Sequence, residues 1–187
     1  MNNHATHFKQ KMMKASNRVA RFVRDNRLNY DLEKTDFEYR INVLLKNKYS
    51  HPVDYANVIK KLQIMLNREI FTRSELRRNE QIDFFASLEK AKTSPHYHIL
   101  IKVPDCKRSL GATDKDSFIK KCVFNVLECL NIVDLRTLDP NRKKTFQPLY
   151  DSARAVQYNI KEDPQKLSNI DFANIRLETL SQAPARA

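Results

Sequence analysis

The chain alternates between two hydrophobic periods. "DFEYRINVLLKN" (36–47) alternates apolar and polar positions and is rich in β-branched and aromatic residues, which predicts a strand. "VDYANVIKKLQIMLNREI" (53–70) shifts to a helical period, with Val58, Leu62, Met65 and Leu66 on one face. "IDFFASLEK" (82–90) and "HYHILIKVP" (96–104) again read as strands, and the short link through Pro95 makes them a hairpin. "TDKDSFIKKCVFNVLECL" (113–130) predicts a helix capped by Thr113 or Asp114, with Phe118, Cys122, Val126 and Cys129 as its stripe. "NIVDLRTLDP" (131–140) reads as a strand ended by Pro140. "DSARAVQYNIKED" (151–163) reads as a helix stopped at Pro164, and "KLSNIDFANIRLETL" (166–180) as another.

This order, β-α-β-β-α-β, predicts an α+β fold: an antiparallel sheet with a split βαβ, ferredoxin-like core and helices on one face, plus extra N- and C-terminal helices. Residues 1–35 form a basic helical extension, 36–163 the main domain, and 164–187 a terminal helix and loose tail. In the extension, Phe8, Met12, Ala15, Val19 and Phe22 fall near helical spacing beside Lys11, Lys14, Arg18 and Arg21. That pattern suits a basic amphipathic helix packed on the domain, or an arm contacting nucleic acid.

Composition narrows the functions. No apolar run approaches the ~18 residues of a membrane helix, and no secretory leader pattern opens the chain. A net charge of +12 implies an anionic partner, most commonly nucleic acid. Cys106, Cys122 and Cys129 lack metal-type spacing; the last two, seven apart in a helical pattern, read as small buried hydrophobes in a reducing compartment. Gly111 is the only glycine, so neither a phosphate-binding P-loop nor a dinucleotide fingerprint is present, since both need several.

Candidate chemistry begins at His96 and His98. Residues i and i+2 of a strand share a face, so both imidazoles leave the same side and Tyr97 the other. Neutral imidazole is the commonest metal ligand, and a two-histidine site usually gains a carboxylate. Glu89, on the paired strand of the hairpin, is the carboxylate within reach. Farther on, Tyr158 and Lys161 lie three apart on a helix and share a face with Arg154 one turn back. A tyrosine hydroxyl with a pKa of ~10 is roughly a thousandth phenolate at neutral pH; a neighbouring ammonium favours the anion and binds phosphate. Of seven tyrosines, Tyr158 alone combines a predicted helix with this lysine spacing, and Tyr150 is the next candidate.

"HYH" at 96–98 and "YNIK" at 158–161 together resemble the HUH endonucleases, in particular the single-tyrosine Rep proteins that initiate rolling-circle replication. The resemblance covers roughly 36–162 in motif order and topology. The spacing from Glu89 to the histidines is similar to that of parvoviral Rep nuclease domains, whereas "FEYRINVLLKN" lacks the threonine-rich ending that many members carry on the first strand. It implies that Glu89, His96 and His98 hold Mg2+ or Mn2+ against a single-stranded DNA phosphate. Tyr158 would then attack to give a 5′-phosphotyrosine and a 3′-hydroxyl, with Lys161 and Arg154 positioning the phosphate. Lys102, Arg18 and Arg21 would contact the DNA, an origin or hairpin. Any helicase would come from another protein or another part of the chain. The setting would be cytoplasmic, that of the host cell if the chain is plasmid- or virus-encoded. The alternatives are a single-tyrosine transposase or relaxase, where the tyrosine more often pairs with a glutamine, and a non-catalytic single-strand binder. The binder would stack bases on Phe37, Tyr39, Phe85 and Tyr97.

Overall fold

The computed structural model describes residues 32, 34–46, 52–90, 95–131, 133–139 and 144–160. The predicted helices within 1–35 and at 166–180, with Arg18 and Arg21 in the first, lie outside the described residues, as does Lys161. Four strands form one sheet: β1 (Tyr39–Leu44), β2 (Asp83–Lys90), β3 (Pro95–Lys102) and β4 (Phe146–Pro148). Their order is β2-β3-β1-β4 and every neighbouring pair is antiparallel. Helices α1 (Pro52–Ile70) and α2 (Arg73–Arg77) connect β1 to β2. Helices α3 (Lys107–Leu110) and α4 (Lys115–Glu128) follow β3, and α5 (Ser152–Ile160) follows β4. The expected α+β class and ferredoxin-like strand plan are what the chain adopts.

The core sits between one face of the sheet and the two long helices. In β1, Tyr39, Ile41 and Val43 are buried while Arg40, Asn42 and Leu44 are not fully covered, the period of a strand with two different environments. Tyr97, Ile99 and Ile101 of β3, with Phe84, Ala86 and Leu88 of β2, extend the same apolar face. Helix α1 meets it with Ile59, Leu62, Leu66 and Ile70, and α4 with Ile119, Cys122, Val123, Val126 and Leu127. Of the expected stripes, Leu62, Leu66, Cys122 and Val126 are core, and Val58, Met65 and Phe118 pack partly buried against it. Cys129 is exposed, not a buried hydrophobe, because it terminates α4 as the C-cap. Burial pushes the Cys122 thiol up to about 11, with the charge of Glu69 adding to the effect.

Polar ties fix how the layers meet. The Tyr39 hydroxyl donates to Asp116 Oδ1 at 2.8 Å, joining the central strand to the first turn of α4. Its removal from water, and then that hydrogen bond, raise its pKa above the ordinary value. Lys115 donates to Glu38 Oε1 and to the Val103 carbonyl, both at 3.0 Å, while Glu38 Oε2 accepts the Val103 amide. Asp114 is the cap of α4, accepting from the amides of Asp116 and Ser117. The lone glycine, Gly111, is the C-cap of α3 with φ of −83°, and Asn79, at φ 66°, is the described non-glycine residue with positive φ.

The last strand is not where the sequence suggests. Among the described residues of 131–140, Val133 bridges Leu45 and a 3-10 turn follows at Leu135–Thr137. Asp134 is the reason: its carboxylate accepts the Arg136 amide at 2.9 Å and its carbonyl accepts the Thr137 amide at 2.8 Å, bonds that curl the backbone out of a ladder. The Thr137 hydroxyl then accepts the Leu44 amide at 2.9 Å, closing the end of β1. The fourth position is taken instead by β4, three residues ending in Pro148 at the sheet edge, where proline is tolerated. Phe146 stacks on Tyr39 with ring centroids 5.2 Å apart.

One buried carboxylate closes two helices. Glu75 accepts from the Thr72 amide and hydroxyl at 2.8 and 2.6 Å, completing a capping box for α2, and from the Lys107 amide at 2.8 Å at the start of α3. These hydrogen bonds, led by the Thr72 side chain, lower its pKa to about 2. Because the folded value lies below the unfolded one, the stabilisation is complete above about pH 4.5 and is lost as pH falls through about 2. Glu75→Gln is therefore expected to lower the thermal midpoint at pH 7, with the gap to wild type closing between those two pH values. Thermal melts followed by circular dichroism check this; a gap that stays constant down to pH 2 contradicts it.

Candidate active site

The polar positions of β1 point away from the core, and the register carries that face across the sheet. Asn42 lies opposite His98, and Leu44 opposite His96; on the other side, Ser87 lies opposite His98 and Glu89 opposite His96. Directly opposed residues of an antiparallel pair share a face. One end of this face therefore gathers Asn42, His96 and His98, with Glu89 opposite His96 in the backbone register. The imidazoles of His96 and His98 stand edge to face with centroids 4.8 Å apart. Tyr97 between them is buried in the core on the far side.

Helix α5 brings the tyrosine to this end. Asp151 starts it, accepting the Arg154 amide at 2.8 Å. Ser152 fastens it to the strand side of the domain: its hydroxyl accepts the Phe37 amide at 2.8 Å and donates to the Thr35 carbonyl at 2.9 Å. Val156, fully buried, seats its inner face, and the helix contacts β3. Two turns in, the Tyr158 ring lies 6.0 Å from that of His98, again edge to face. The helix thus covers the sheet face opposite α1 and α4, so the main helices share one side and the tyrosine helix takes the other.

Two residues that the motifs did not single out complete the cluster. The Arg40 guanidinium sits over the Tyr158 ring, 5.0 Å from its centroid. Arg40 Nε donates to Asn42 Oδ1 at 3.2 Å, and its Nη2 lies 3.0 Å from His98 Nδ1. His98 Nδ1 is 2.6 Å from the same Asn42 Oδ1. The Asn42 amide nitrogen donates to the Lys144 carbonyl, which fixes Oδ1 as the atom facing the histidine. Nδ1 of His98 is thus held between the Asn42 amide oxygen and the Arg40 guanidinium. This is the arrangement that orients a metal-ligating imidazole. The signal was present in "YRINV", where polar residues alternate with buried ones in the central strand.

Among the described residues, no three histidine, cysteine, aspartate or glutamate side chains form a metal-binding group. The two histidines meet as a pair, and Glu89 enters through its backbone register with His96. Lys102 shares the face but stands four residues along β3 from His98, about 13 Å at strand spacing. Arg154 is exposed, one helical turn before Tyr158. Tyr150 is fully exposed, and Tyr39 and Tyr97 are buried. Phe37, Tyr39, Phe85 and Tyr97 are all buried, so the aromatics that a base-stacking sheet would present are not at its surface. No helix among the described residues is long and apolar enough to cross a membrane.

The attachment of α5 is open to measurement. Ser152→Ala leaves the Phe37 amide without its side-chain acceptor and is expected to cost roughly 1–3 kcal/mol. Urea unfolding gives the loss, and amide exchange should show it concentrated in α5. An unchanged midpoint would mean that α5 is held by its apolar contacts alone.

Comparison with protein-family models finds no match, and comparison with curated proteins finds none.

Proposed function

We propose that this chain is a metal-dependent endonuclease that nicks and rejoins single-stranded DNA through a 5′-phosphotyrosine, and that it initiates rolling-circle replication as the HUH proteins resembled by its motifs do. The observation that carries the reading is the 6.0 Å approach of the Tyr158 ring to His98, two residues sixty positions apart in the chain. Nothing in core packing requires a half-exposed tyrosine beside a histidine pair.

The donors suit a divalent ion: two imidazoles, one held at Nδ1 by Asn42, and a carboxylate opposite in register. Glu89, His96 and His98 would hold Mg2+ or Mn2+, which when bound supplies a Lewis acid for a phosphoryl oxygen. The phenol oxygen of Tyr158 attacks phosphorus; the Tyr158 O–P bond forms and the bond from phosphorus to the 3′-oxygen breaks. The phenol proton leaves to solvent, and the departing 3′-oxygen takes one up. The ester conserves the phosphodiester linkage, so an incoming 3′-hydroxyl can reverse the step without a nucleotide cofactor. Lys161 and Arg154, three and four residues from Tyr158 in the sequence, would add positive charge for the phosphate. The +12 chain, including Lys102, Arg18 and Arg21, supplies sequence-independent affinity for the strand. The substrate is an origin or hairpin in the cytoplasm, and any helicase that opens the strands comes from another protein or another part of the chain.

The test is a denaturing gel of protein incubated with Mn2+ and a labelled pool of single strands. Wild type is expected to give a covalent adduct. Tyr158→Phe, His96→Ala, His98→Ala or EDTA should reduce it to background, with folding and strand binding retained. Lys161→Ala should slow adduct formation without ending it. An adduct that persists in Tyr158→Phe but not in Tyr150→Phe would move the nucleophile. No adduct with any strand would overturn the reading.

Binding itself should depend steeply on salt. Log affinity for a single strand is expected to fall linearly with log salt, by ~0.7 per phosphate neutralised. Replacing Lys11, Lys14, Arg18 and Arg21 together by glutamine should make the slope shallower, as measured by fluorescence anisotropy; an unchanged slope removes the N-terminal segment from the interface.

A further inference from the structure

We propose that Arg40 is the anion anchor of this site, a guanidinium that grips the phosphodiester presented to Tyr158. The proposal rests on the nuclease reading and deepens it by naming the residue that receives the substrate's charge. Arg40 stands between buried Tyr39 and Ile41, so the strand period turns its side chain onto the site face. Three groups hold it there: Asn42 Oδ1 at 3.2 Å, the Tyr158 ring at 5.0 Å and the edge of His98 at 3.0 Å. Among the described residues no carboxylate ion-pairs with Arg40, whereas Lys115 is matched by Glu38 and Arg136 by Asp134. The cation is fixed in direction but not neutralised.

Its hydrogen-bonding capacity supports the same reading. A guanidinium presents five N–H donors in a rigid fork. Nε–H is committed to Asn42. Nη2 lies 3.0 Å from His98 Nδ1, and among the described residues the remaining Nη hydrogens take no protein acceptor. The Nη side of the fork therefore faces the site with donors to give, and two oxygens of a phosphodiester match it. A phosphate bound there stands on the side of the site that carries the Tyr158 ring, and the guanidinium offsets the repulsion between an attacking phenolate and an anionic ester.

The probe is thymidylyl-3′,5′-thymidine, with its uncharged methylphosphonate analogue as control, titrated by NMR against the full chain. Wild type is expected to prefer the charged dinucleotide. Arg40→Met should weaken its binding by about tenfold or more, the scale of a charge-assisted hydrogen bond. Arg40→Lys should fall between, keeping the charge and losing the fork. Should Arg40→Met fail to fold, Arg40→Lys carries the comparison, and wild-type affinity in it overturns the proposal. No preference for the charged dinucleotide in wild type overturns it as well. The adduct gel separates the two ideas. Adduct formed at the wild-type rate by Arg40→Met removes Arg40 and leaves the nuclease; loss of dinucleotide binding without any adduct from wild type leaves the anion site and removes the nuclease.

Discussion

The period of two in β1 is the constraint on which both halves of this molecule depend. Tyr39, Ile41 and Val43 fill the core on one side, and Arg40 and Asn42 build the site on the other. A one-residue slip would exchange the two sets. It would bury an amide, at roughly 1–3 kcal/mol when unpaired, and a guanidinium at a higher cost. Net stabilities of domains are only about 5–15 kcal/mol, so the slipped register is not a competitor. The core thereby sets where the chemistry stands. Hydrophobic burial fixes β1, β1 fixes β3 on one side and β4 on the other, and the histidines inherit their direction from that pairing.

The two faces are stabilised differently. The α1–α4 side is an apolar contact layer in which the polar ties sit at the margins, Tyr39 to Asp116 and Lys115 to Glu38. The α5 side rests on a short helix fastened by Ser152 at one end and seated by Val156 in the middle. Its far end carries Tyr158 over a cluster of polar groups. A face assembled in this way tolerates an exposed hydroxyl beside charged and polar neighbours, which the apolar face could not.

Much of this was legible in the chain. The alternation in "YRINVL" and the Pro95 hairpin predicted β1, β2 and β3 nearly to their ends, and the His-x-His pair and helical tyrosine were readable from spacing. Their meeting was not, since a sixty-residue separation carries no distance information by itself. Arg40 and Asn42 went unread because a polar residue in a strand ordinarily means a solvated face. Residues 131–140 misled because "NIV" and "LRTL" have strand composition, while the outcome turned on the local bonds of Asp134. β4 was too short, and too close to a proline, to signal anything. The capping box at Thr72 and Glu75 had its sequence signature, but α2 is only five residues long and lacks a periodic stripe to draw attention to it.

The scarcity of glycine has a consequence for the unfolded chain. Gly111 adopts a conformation open to any residue, and Asn79 is the one described position that enters the left-handed region. Glycine loses the most conformational freedom on folding. A chain that makes its turns from Thr, Asp, Asn and Pro starts from a narrower ensemble, and ordering it forfeits less entropy per residue. The smaller entropy loss helps to hold a face on which Arg40, Asn42 and the histidines sit beside buried Phe85 and Leu100. Stiffness in the disordered state thus lowers the stability that folded contacts around the site must supply.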